Sequence, residues 1–108
     1  MPQFDDREQA FEKKFAHDEE LQFKADARRN KLLGLWAAEL MGLSGDEALA
    51  YAMEVIKSDL EEAGEEDVYR KVKGDLDARN LDISEHRVRK AMAELMDEAR
   101  KQIMKETD

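Results

Sequence analysis

Apolar residues recur along most of this chain at steps of three, four and seven, the period of a helix, and no stretch alternates as a strand would. Leu21, Ala25, Leu32, Trp36, Leu40 and Leu43 form one stripe; Leu49, Ala52, Val55, Ile56 and Leu60 form a second; Val68, Tyr69, Val72 and Leu76 a third; Val88, Met92, Leu95, Ala99 and Ile103 a fourth. Each stripe is narrow, so four amphipathic helices can bury them only against one another, which is the logic of a small up-and-down bundle. The spacing predicts an all-α fold: a four-helix bundle over residues 19–108, with helices at about 19–42, 45–63, 66–78 and 85–105, preceded by a mobile N-terminal arm, residues 1–18.

Turn chemistry supports these bounds. Ser44 followed by Glu47 reads as a capping box that starts the second helix. Ser84 reads as the N-cap of the fourth, with Ile83 and Val88 spaced as a hydrophobic staple. Gly64, followed by Glu65, Glu66 and Asp67, suits a helix end and then an electropositive helix start. Gly34 falls on the face of the first helix away from its apolar stripe, where a bend or the close approach of a partner would account for it.

The first residues do not fit the bundle. All four Phe lie at positions 4, 11, 15 and 23, while the four stripes rely on aliphatic residues. On a helix Phe4, Phe11 and Phe15 share one face, but the polar run from His17 to Glu20 separates that face from the stripe resuming at Leu21. A helix of this length is marginal alone in water. Burying three Phe side chains would supply about 5–9 kcal/mol, against an ordering cost of about 2–5 kcal/mol for a segment that folds on binding. The arm thus reads as a helix-in-groove ligand with Phe4, Phe11 and Phe15 as anchors. The bland alternative is that the Phe stripe packs back on its own bundle or forms a homodimer seam. His17, among Asp18, Glu19 and Glu20, could act as a pH switch or be simply an exposed His.

Composition narrows the function classes. The 108 residues carry a net charge of −9, which opposes binding to nucleic acid or to an anionic membrane surface. Residues 44–67 hold nine of the acidic side chains and one basic one; their spacing matches no EF-hand loop, and the plain reading is a solvated acidic face paired with Arg87, Arg89 and Lys90 or with a basic partner. With no Cys and two distant His, no metal site, cofactor site or catalytic constellation is expected, and the protein is read as a non-enzyme. Arg28, Arg29 and Lys31 lack a Gly-rich loop, which leaves a weak nucleotide-binding sensor as a minor alternative. No secretory signal or membrane span is read.

Several runs together, Phe4-Asp5-Asp6-Arg7-Glu8, Lys14-Phe15-Ala16-His17-Asp18, Phe23-Lys24, Ala27 to Gly34, Trp36-Ala37-Ala38, then Glu65, Asp67, Val68, Arg70 and Lys71, then Met92-Ala93-Glu94-Leu95 and Ala99-Arg100, resemble the zeta subunit family, inhibitors of the F-type ATP synthase of alphaproteobacteria. The resemblance implies that the arm inserts as a helix at a catalytic interface between the alpha and beta subunits, beside gamma, and blocks ATP hydrolysis. By position it assigns partner binding to Phe4, Asp5, Asp6, Arg7, Glu8, Phe15, His17 and Asp18; the periodicity adds Phe11, and Lys13 and Lys14, with Arg7, are expected to pair with acidic groups in the groove. It further implies a monomer when free, held peripherally at the cytoplasmic face through the synthase. The competing class is a helical adaptor or dimerisation module whose Phe-bearing arm binds another protein.

Overall fold

The structure, a computed structural model, describes residues 18–61 and 64–107. Four helices follow in order: α1, Glu19–Leu40; α2, Gly45–Glu61; α3, Glu65–Ala78; and α4, Glu85–Thr107. Among the described residues there is no strand. Short turns make sequential helices antiparallel neighbours, and α1 is the central element, packed against all three others.

The first and last of the three inter-helix turns show how local chemistry sets direction. After α1, the chain closes with Gly42 N–H on the Glu39 carbonyl at 3.1 Å and Leu43 N–H on the Ala38 carbonyl at 2.8 Å, and Gly42 takes φ +79°. That is the Schellman arrangement, whose left-handed residue favours Gly. The same bonds end α3, from Asn80 to Asp77 and from Leu81 to Leu76, with Asn80 at φ 61° in the left-handed place. At the start of α4, Ser84 Oγ accepts from Arg87 N–H at 3.1 Å, and Ile83 and Val88 are both buried in the core. The capping box expected at Ser44 does not form: Gly45 takes φ +55°, so the chain does not step directly from an extended cap into helix, and it is the Ser44 carbonyl that accepts, from Ala48 N–H at 3.5 Å.

The core has two parts. The larger one joins Leu33, Ala37, Tyr51, Val55, Val68, Val72, Leu76, Val88 and Met92, and the smaller joins Leu21, Ala25 and Ile103 between α1 and the end of α4. Between them along α1 sit Arg29 and Asn30, both buried. The stripes of α3 and α4 are buried largely as expected. On α1 the expectation is corrected: Leu32, Trp36, Leu40 and Leu43 are only half-buried, and the inward face consists of Leu21, Ala25, Arg29, Leu33 and Ala37 with the adjacent row Asn30, Gly34 and Ala38. Residues four apart form the ridges of a helix, and here two neighbouring ridges are buried because α1 has partners on several sides. Leu49 and Leu60, expected inside α2, are exposed. Gly34 does not face away from the stripe: it lies against α2, where an added Cβ would stand 2.6 Å from Ala52 Cα.

Candidate partner-binding face

The arm residues Phe4, Asp5, Asp6, Arg7, Glu8, Phe11, Lys13, Lys14, Phe15 and His17 lie outside the described residues. Asp18 is the first described residue and has a structural task. In extended conformation, its carboxylate accepts from the backbone N–H of Glu20 at 3.1 Å and of Leu21 at 3.2 Å, capping α1. The point at which the arm meets the bundle is therefore a fixed helix start.

Several large apolar side chains of the described residues are exposed. Phe23 on α1 is 61 % exposed, and on α2 Leu49, Met53 and Leu60 are 50 %, 52 % and 66 % exposed. With half-buried Ile56, the three α2 residues are spaced four, three and four apart, a continuous outward stripe. Phe23, Ala27, Ile56 and Ile103 line a shallow groove of about 470 Å³ over the outer face of α1, and Lys24, Arg28, Lys31 and Glu106 also border it. Two of these borders are tied together, since Arg28 donates to both carboxylate oxygens of Glu106, at 2.7 and 2.9 Å, and to Gln102 at 2.6 Å, joining α1 to α4. Lys24 lies 3.4 Å from Glu20. Neither Lys31 nor, one residue beyond Ile56, Lys57 pairs with a carboxylate among the described residues.

The Arg28, Arg29, Lys31 cluster is divided by the fold. Arg29 turns inward, its Nε donating to Asn30 Oδ1 at 2.7 Å and its Nη1 to Glu65 at 3.1 Å. Its neighbour Asp26 accepts from Gln22 at 2.9 Å; burial holds the Asp26 carboxyl above its ordinary pKa, and Asp59 and Glu65 push the same way, against the Gln22 bond and the Arg29 charge. The acidic block is partly neutralised: Glu65 meets Arg29, Glu66 meets Arg89 at 3.0 Å, and Asp67 meets Arg70 at 3.1 Å. Of the cations expected opposite it, Arg89 reaches it, while Lys90 faces Glu94 on its own helix. Arg89 also stacks on Tyr69, its guanidinium carbon 4.0 Å from the ring centre. Tyr51 donates to Asp75 at 2.8 Å; burial, and after it this bond, raises the phenol's pKa, and Lys71 donates to the same carboxylate at 2.9 Å. Of these contacts, Glu65–Arg29, Glu66–Arg89, Tyr69–Arg89 and Tyr51–Asp75 tie helices together. Among the described residues no three His, Asp or Glu side chains gather as a metal site, and no helix is long and apolar enough to cross a membrane.

The family described as ATPase inhibitor subunit zeta matches residues 1–102, and the chain belongs to it. It is similar to a structure determined in solution by NMR, at 59 % identity and a TM-score of 0.71, over 80 % of this chain and 98 % of that one. No curated protein matches the chain. Its class is accordingly that of an ATPase inhibitor subunit, a regulatory protein associated with ATP synthase.

Proposed function

We propose that this protein blocks ATP hydrolysis by an F-type ATP synthase, with residues 1–18 entering as a helix at a catalytic interface of the alpha and beta subunits beside gamma. The observation that carries this reading is the extent of the family match, which runs through the arm as well as the bundle, from residue 1 to residue 102.

The physics is that of a helix laid in a groove. Phe4, Phe11 and Phe15 fall on one helical face and bury there, Arg7, Lys13 and Lys14 meet acidic groups at its edges, and the remaining matched positions Asp5, Asp6, Glu8 and His17 line the flanks. A wedge at a rotary catalytic interface stops the closing motion that hydrolysis needs, so the protein acts by occupancy and carries out no chemistry. The bundle holds the arm at its Asp18 root and raises its effective concentration once any other contact is made. This reading makes the free protein a monomer at the cytoplasmic face, peripheral through the synthase. Titration of a purified alphaproteobacterial F-type ATPase with the full-length protein tests it: hydrolysis falls with saturation, and replacing Phe11 with Asp abolishes the effect while leaving the helicity of the bundle unchanged.

A further inference from the structure

We propose that the outer surface formed by Phe23, Ile56 and Leu60 is a second docking face, which seats the bundle on the catalytic head of the same ATP synthase at the mouth of the groove that takes the arm. This inference rests on the inhibitor reading above and names a contact outside residues 1–18.

Position is the first argument. Phe23 lies five residues beyond the Asp18 cap, about 7.5 Å along α1. Because α1 and α2 are antiparallel, the Leu60 end of α2 is the end nearest the arm. A helix inserted up to Asp18 therefore brings this surface against whatever surrounds the groove. Apolar exposure is the second argument. Phe23 and Leu60 are the two most exposed large apolar residues described, at 61 % and 66 %, and Ile56 shares a groove with Phe23. Bulky apolar groups gathered on a very acidic small protein mark an interaction site.

Charge selects the occupant. On a chain of net charge −9, this surface is edged by Lys24 and Lys31, with Lys57 next to Ile56 along α2, and neither Lys31 nor Lys57 has a carboxylate partner among the described residues. It fits an apolar partner surface edged with carboxylates. The arm itself is a poorer complement, since Arg7, Lys13 and Lys14 offset three of its five carboxylates, Asp5, Asp6, Glu8, Glu12 and Asp18, and the last of these is committed to the α1 cap. A second copy would bring the same lysines together.

The test compares full-length wild type with the double variant Phe23→Asp, Leu60→Asp, both checked for helicity and for mass in solution, in titrations of the purified F-type ATPase. Both substituted side chains are exposed, so the fold is retained. The concentration for half-inhibition is expected to rise about 10- to 100-fold with complete inhibition still reached at saturation, as when one of two linked contacts is lost. Lys31→Glu with Lys57→Glu should raise it as well, more at low salt than at high salt. An unchanged midpoint overturns the proposal. A lowered midpoint overturns it in favour of the arm as occupant of this face, and a wild-type dimer dissociated by the double variant overturns it in favour of a second copy. Wild type that does not inhibit at all refutes the inhibitor reading, and this inference with it.

Discussion

Gly34 on α1 and Ala52 on α2 meet so closely that a Cβ on Gly34 would stand 2.6 Å from the Ala52 Cα and 3.3 Å from Val55 Cγ2. The obstacle is backbone, so relief requires the two helices to separate. Gly34→Ala is therefore expected to destabilise the bundle by about 1–3 kcal/mol despite the better helix propensity of Ala. Gly74, on α3, has nothing within 4 Å of its own would-be Cβ, and Gly74→Ala should stabilise by up to about 1 kcal/mol. Urea midpoints of the two variants should shift in opposite directions; a shift of Gly34→Ala to higher urea would contradict the contact.

That pair also shows where sequence reasoning reached and where it stopped. The buried faces of α3 and α4 were legible because Val68, Val72 and Leu76, and Val88, Met92 and Ile103, are large aliphatic groups at helical spacing. The inward face of α1 was legible only at Leu21 and Ala25, because a helix touched from several sides needs small residues for close approach. Gly34, Ala37 and Ala38 carry little hydrophobic signal, Arg29 and Asn30 carry the opposite one, and the bulkier Leu32 and Trp36 at the edge drew the eye instead. In the candidate site, the concentration of Phe in the first 23 residues motivates the proposal for the arm, and the family resemblance supplies its proposed target. Phe23 belonged to the same aromatic set, yet its place beside Ile56 on the outer surface depends on how α1 and α2 pack, which no local pattern encodes.

Glu65 is an exposed carboxylate with a buried partner, since the Arg29 side chain is only 2 % exposed while that of Glu65 is 71 % exposed. Removing its charge leaves a guanidinium in the core with Asn30 Oδ1 as its remaining acceptor. Glu65→Gln should cost about 1–3 kcal/mol, whereas Glu66→Gln, in the same first turn but facing half-buried Arg89, should cost no more than about 1 kcal/mol. Combining Glu65→Gln with Arg29→Met should recover part of the loss. Equal costs at positions 65 and 66 would show that the helix dipole, not the buried arginine, governs this turn.

The cap and the partner roles of Asp18 can be separated by substitution. Asp18→Ala removes the acceptor for Glu20 and Leu21 N–H and should cost about 0.5–2 kcal/mol, while Asp18→Asn keeps an acceptor and should be nearly neutral in thermal unfolding. If Asp18→Asn is stable but inhibits poorly, the carboxylate charge is used by the partner.

Asp26 gives a pH dependence of defined sign. Its folded carboxyl titrates above its ordinary value, mainly through burial, so between the unfolded and folded pKa the folded state binds more protons, and stability falls as pH rises through that window. Asp26→Asn, which keeps an oxygen for the Gln22 bond, should add a few tenths to about 1 kcal/mol near neutral pH, the size being limited by partial exposure. The gain should vanish near pH 3.5; urea unfolding at both pH values checks it, and a gain that grew on acidification would refute the assignment.

The most direct test of the account compares inhibition of ATP hydrolysis by the full-length protein and by a version beginning at Asp18, which keeps the α1 cap. Inhibition by the first and none by the second, with equal helicity and melting, is the predicted result and places the function in the preceding 17 residues. Inhibition by the shortened protein equal to that of the whole would contradict it, and would move the inhibitory contact onto the bundle itself.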